Sequence, residues 1–285
     1  MIAAYWLAND TNFLKEAALK YPNDPRVQFQ ILGANLFTED RRLWLEAFKK
    51  SAPDNALANY LAARKDFKAE KPEAALAELT NAQGKPVIDV YWQDRAQAVA
   101  EAYITAGFAS PDAHLESLGY SFSPPNVSIE LRKLNFDIIE HATQSRQSGD
   151  TATADTLIAA GLALGTRLTM DDTGKLVIDE LLGSAIQMLT LKSVDSSVPI
   201  EFAGTTQTAG ERLASLQTRR DAIGEVIGNN VMGEKIATMI SSLGDDDRIV
   251  YFEHVRKDGE FAAIQWLRDK LGPNLPPQPS ASDRK

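Results

Sequence analysis

Apolar residues recur three and four positions apart along most of the chain, and strict apolar–polar alternation is rare. Ala, Leu, Glu, Lys and Gln fill the intervening positions and favour helix. Proline and glycine then cut the pattern into pieces. Pro22-Asn-Asp-Pro25 closes a helix over Asn12–Tyr21, Pro53-Asp-Asn55 one over Arg41–Ser51, and Lys85-Pro86 one over Pro72–Gln83, with a short helical stub over Ile2–Ala8. From Leu176 to Leu191 the apolar stripe is wide enough to require burial on more than one side. Asp171-Asp172-Thr173 reads as its N-cap. Ser193–Gly204, which contains Pro199, reads as a connection. Helices are predicted over Thr205–Ile227, Gly233–Ser242, Asp245–Lys257 and Glu260–Leu271, with Gly228-Asn-Asn230 as a stop and Asp245-Asp246-Asp247 as a cap. The last stretch, 273–285, is proline-rich and aperiodic, and is expected to be disordered.

The turn signals Pro22, Pro53 and Pro86 stand 31 and 33 residues apart, a spacing that belongs to repeated helical hairpins. Phe29, Leu32, Gly33 and Leu36 form a first large–large–small–large face. Tyr60, Ala63 and Phe67, followed by Ala75, Leu79 and Ala82, form the second. Val99, Ala100, Tyr103 and Gly107 form a third. Ile138, Ala142, Gly149, Ala154, Ile158 and Gly161 form a fourth, in which His141 takes a large apolar residue's place. Tyr251, Phe252, Val255, Gly259 and Ile264 repeat the pattern near the end, with an oversized Phe252 at a small position. These residues resemble the tetratricopeptide repeat (TPR) family in degenerate form. The resemblance covers residues 1–168.

That resemblance implies an all-α fold: a right-handed solenoid of antiparallel helical hairpins over 1–168, capped by a helical bundle over 169–272. It also implies a concave groove holding a peptide or protein partner. By register the groove would be lined by Gln30, Phe37, Leu61, Lys65, Lys68, Gln97, Glu101, Ile139, Thr143, Arg146 and Gln147. The family's pattern for clamping a peptide carboxylate has no convincing match. The chain opens inside a repeat. This reads either as the C-terminal part of a longer protein with an upstream anchor or export segment, or as a short first hairpin.

Composition narrows the partners. Lys+Arg is 30 and Asp+Glu 39, a net charge of −9, with no basic stripe to hold a phosphate backbone, so nucleic acid is excluded as an expected partner. No apolar run approaches the roughly 18 residues needed to span a bilayer. Residue usage points to a bacterial protein, cytoplasmic or at the envelope. Cysteine is absent, which removes thiolate nucleophiles and sulfur ligands. The adjacent pair Glu140–His141 diverges around the helix and cannot chelate from one face, and His114, His141 and His254 all read as structural. No catalytic or phosphate-loop motif occurs, so neither a cofactor nor an enzyme is expected. Gly161 and Gly165 are expected to permit close helix packing. The reading is a non-catalytic interaction scaffold. Two alternatives remain open. One is an enzyme built around a buried acid, Asp179 or Glu180. The other is an assembly subunit that self-associates through an exposed patch on helix 176–191.

Overall fold

The computed structural model describes residues 1–120, 125–169, 176–202, 204–227 and 232–272. Among them the chain is all-α apart from one β-hairpin. The helices are α1 (Ile2–Ala8), α2 (Thr11–Lys20), α3 (Pro25–Gly33), α4 (Arg41–Ser51), α5 (Leu57–Lys68), α6 (Pro72–Gln83), α7 (Trp92–Thr105) and α8 (Ser110–Leu118). They continue with α9 (Pro125–Gln147), α10 (Thr151–Thr169), α11 (Val177–Lys192), α12 (Ala209–Ile227), α13 (Met232–Ser241), α14 (Asp245–Asp258) and α15 (Glu260–Leu271). No helix among the described residues is long and apolar enough to cross a membrane.

The helices pair largely as neighbours in sequence, but one pair leaves the row. Helix α3 packs on α4 and α5 on α6, and α5 and α6 then pack directly on α9 and α10. Helices α7 and α8 pack on each other, α7 also on α1 and α8 on α14. The third predicted repeat is therefore not interposed between the second and the fourth. The largest core runs from Phe29 through Tyr60, Leu134 and Leu164 to Leu267, so residues on both sides of position 168 share it.

Helices α9, α10 and α11 cross closely because glycine leaves room. A Cβ on Gly165 would lie 2.7 Å from the Gly183 carbonyl oxygen, and one on Gly183 would lie 2.6 Å from that of Gly165. The expected role of Gly161 and Gly165 is thus borne out, with Gly183 as the unforeseen partner. Beside Gly161, the buried Asn135 Oδ1 accepts from Thr190 Oγ1 at 2.9 Å, so the close crossing leaves that acceptor satisfied. Arg167 ties α10 to the end of α6. It donates to the carbonyls of Gln83 (2.7 Å) and Lys85 (2.8 Å) and to the Tyr60 hydroxyl (2.8 Å), satisfying acceptors that the helix end leaves open.

Three local expectations are corrected. Residues 199–208 are not connection plus helix. Pro199–Phe202 (β1) pairs antiparallel with Thr205–Thr208 (β2), Phe202 facing Thr205 and Ile200 facing Gln207. The helix begins four residues later than expected because Thr208 and Glu211 form a reciprocal capping box. Thr208 N–H donates to Glu211 Oε2 at 2.8 Å and Glu211 N–H to Thr208 Oγ1 at 3.1 Å. The N-cap of α14 is Gly244; Asp245, Asp246 and Asp247 occupy its first turn, where they face the positive end of the helix dipole. The expected caps at Asp171-Asp172-Thr173 and Gly228–Asn230, and the tail 273–285, lie outside the described residues. Helix α11 starts at Val177, whose N–H donates to Glu260 Oε2 of α15 at 2.8 Å.

Candidate functional site

Two large cavities open on the described surface. The larger, about 630 Å³, separates α10 from the hairpin. Ile158, Leu162 and Ala163 form one wall, and Val194, Val198, Ile200 and Phe202 form the other. Strand alternation explains the second wall: Ile200 and Phe202 are half-buried while Pro199 and Glu201 are exposed. Arg212 of α12 stands at this wall with its guanidinium carbon 3.4 Å from the centre of the Phe202 ring. Its Nε and Nη2 both donate to Gln187 Oε1, at 3.2 and 2.7 Å. Gln187 is buried and donates in turn to Thr169 Oγ1 at 3.0 Å. Burial holds the Arg212 guanidinium below its ordinary pKa. The two carboxylates at the cleft are engaged elsewhere: Asp155 with Arg146 at 3.3 Å, and Glu201 with the Thr206 hydroxyl.

The second cavity, about 550 Å³, lies between α1, α2, α3 and α7. Arg26 bridges Asp24 (2.7 Å) and Asp94 (3.6 Å) at its edge. The hydrogen bonds from Arg26 hold the Asp24 carboxyl below the usual carboxylate range. Arg95 is 1 % exposed, donates Nε to the Tyr120 carbonyl and lies 4.9 Å from the Trp6 ring. Burial pulls its pKa down to about 10, opposed by the charge of Asp179.

The predicted groove residues do not gather on one surface. Gln30 (2 % exposed) and Leu61 (3 %) are core positions, although Gln30 backs the second cavity, which Glu101 also lines. Gln97 donates to Glu101 at 2.9 Å, both on α7. Phe37 stacks on Trp44 at 5.8 Å. Lys65 borders a small cavity between α4 and α5, and Lys68 is exposed. Ile139, Thr143, Arg146 and Gln147 are brought together on α9, with Arg146 reaching the rim of the larger cleft. The physical reason for the scatter is the placement of α7 against α1 instead of between α5 and α9.

Helix α9 buries Val127, Leu131, Leu134, Ile138 and Ala142 on one side. Its outward side carries Ile129 (48 % exposed) and Phe136 (46 %), seven residues apart and therefore on one face. Arg132, between them, lies 5.8 Å from the Phe136 ring.

The histidines have structural surroundings. His141 stacks on Phe67 at 4.6 Å, His114 bonds the Ser110 carbonyl at 2.7 Å, and His254 meets Asp258 at 2.6 Å. No cluster of three metal-capable side chains occurs among the described residues. Glu180 pairs with Arg219 at 2.5 Å, Asp179 is buried, and neither lines either large cavity. On α11, Ile178 is the one large apolar residue that is strongly exposed. Arg212 and the hairpin escaped sequence reasoning. Their signals were the Thr208-x-x-Glu211 capping box and the β-branched run around it. Scans against protein-family models, curated proteins and solved structures return no match.

Proposed function

We propose that the protein is a non-catalytic interaction scaffold that docks a segment of a partner protein along the outward face of α9. The observation that carries this reading is the pairing of two half-exposed large apolar side chains, Ile129 and Phe136, around Arg132 on a helix whose other large apolar residues are buried, except the half-buried Ile139. Arg132 pairs with no carboxylate among the described residues, while its neighbour Lys133 is matched to Glu130 at 3.6 Å. The matching segment presents an apolar residue beside a carboxylate, so that desolvation of Phe136 and neutralisation of Arg132 occur in one contact. Ile139, Thr143 and Gln147 extend the same helix towards its C-terminus.

Site-specific photo-crosslinking tests this. A benzoylphenylalanine at position 136 is expected to capture a discrete partner in lysate of the source organism. The same group at Glu73, exposed on α6, is expected to capture none, and Phe136→Arg is expected to abolish co-purification of that partner. Equal capture from both positions, or cross-links only between copies of the chain, refutes the reading. The second result favours assembly.

A further inference from the structure

The cleft between α10 and the hairpin carries a charge that its own walls do not balance. Arg212 gives Nε and Nη2 to a single neutral acceptor, Gln187 Oε1. Its Nη1 has no acceptor among the described residues. The carboxylates at the cleft are already committed, Asp155 to Arg146 and Glu201 to Thr206, with Glu201 on the outward side of β1. A partly desolvated cation without a counter-charge is costly, and an anion arriving at its open edge relieves that cost. The guanidinium is also fixed before any ligand arrives. Phe202 holds one of its faces, Gln187 holds one edge, and Gln187 is itself anchored to Thr169. Little rotamer freedom is left to lose on binding.

The two long walls of the cleft are mostly apolar, with Arg146, Asp155 and Glu201 also among its lining residues. Ile158 and Leu162 face Val198 and Ile200 across a volume of about 630 Å³. That volume lies within the ~300–1,000 Å³ of ordinary small-molecule sites. The nature of the anion follows from the donor set. The open Nη1–Nη2 edge is a planar fork that matches the two oxygens of one carboxylate. A phosphate brings about two charges and three acceptor oxygens, more than Arg212 can satisfy while the other guanidinium at the cleft, Arg146, is committed to Asp155.

The geometry points to a small-molecule site: this cleft binds a free organic carboxylate with an extended apolar body, its carboxylate on Arg212 and its chain between Leu162 and Ile200. The site is separate from the partner face on α9, and each stands or falls alone.

Calorimetric titration of the full chain tests it, with decanoate as probe and decanamide as its uncharged match. Decanoate is expected to bind at one site, and decanamide about ten- to a hundredfold more weakly, the margin of a charge-assisted hydrogen-bond pair. Arg212→Met keeps the apolar stem over Phe202. It is expected to remove that margin while leaving decanamide unchanged. Leu162→Trp, which fills the cleft, is expected to abolish both. Equal binding of decanoate and decanamide overturns the proposal, because the cleft is then an apolar trap that ignores Arg212. Absence of decanoate binding to the native chain overturns it too, even if an apolar peptide binds in the same place. If Arg212→Met fails to give the native circular dichroism spectrum, the decanoate–decanamide contrast on the native protein, together with Leu162→Trp, still decides.

Discussion

Replacing Gly165 by alanine inserts one methyl group at the closest point between α10 and α11. That methyl would lie 2.6 Å from Gln187 Cγ, 2.7 Å from the Gly183 carbonyl oxygen and 3.0 Å from the Gln187 amide nitrogen. Two of the three atoms are backbone, so no rotamer change relieves them. Ordinary contact begins at 3.4 Å, and 3.4 − 2.7 = 0.7 Å of separation is the least that α11 must supply. Overpacking of this kind costs ~1–3 kcal/mol. The upper part of that range applies, because moving α11 also strains the Asn135–Thr190 bond and the Gln187–Arg212 contact. Alanine returns ~1 kcal/mol through helix propensity. The expected net loss is about 1–2 kcal/mol. Gly224 on α12 is the matched control. Beyond its own stretch of helix backbone, nothing lies within 4 Å of where a Cβ on Gly224 would stand, so Gly224→Ala is expected to gain ~0.5–1 kcal/mol. Urea denaturation followed at 222 nm reads both, provided the m-value is unchanged. Gly165→Ala and Gly183→Ala are expected to be sub-additive when combined, because either one already parts the helices. A Gly165→Ala chain as stable as the native one, with the same m-value, would refute the close-crossing argument. So would a gain that tracks Gly224→Ala.

Arg167→Ala is expected to cost ~2–3 kcal/mol by orphaning the α6 end carbonyls and the Tyr60 hydroxyl, and Arg167→Lys is expected not to restore it, since one ammonium does not span three acceptors. Hydrogen exchange is expected to rise at the C-terminal turn of α6 in both variants; protection at the native level there counts against the tie. Burial raises the Glu260 carboxyl pKa despite the Val177 N–H bond. The stability it contributes is therefore fully present below its unfolded value of about 4.3 and is lost as pH rises through the folded value. Glu260→Gln, which keeps the acceptor oxygen without the charge, is expected to be the more stable chain at pH 7 and to lose that advantage on acidification towards pH 4. An advantage independent of pH removes the burial argument.

Helix positions were largely legible in the sequence, since α1, α4, α6 and α15 fall where periodicity and punctuation put them. Such signals are local: a proline, a glycine or a stripe is read within one or two turns. The capping box at Thr208 is equally local, but Leu213, Leu216 and Ile223 downstream keep a helical spacing that extends the expected helix back to Thr205. The cleft was not legible. Arg212 lies 25 residues from Gln187 in sequence, and nothing in the spacing shows that the two meet.

The choice of which hairpin stacks on which was not legible either, and the reason is physical. Burial of alanine and leucine faces is non-directional, so it does not by itself distinguish α7 from α9 as the neighbour of α5. Polar side chains at long sequence separation break the tie. Arg64 on α5 meets Asp137 on α9 at 2.7 Å, Arg167 on α10 meets Tyr60 and the end of α6, and Asn126 at the start of α9 donates to the Gly33 carbonyl at 3.0 Å. With α7 in place of α9, Arg64, at 16 % side-chain exposure, would lose its carboxylate and keep its desolvation cost. Helix α7 has its own such bond elsewhere, from Gln93 Nε2 to the Arg256 carbonyl at 2.8 Å. The repeated apolar pattern makes hairpins. A few well-placed arginines and amides decide their order, and those are the residues that a periodic motif leaves unspecified.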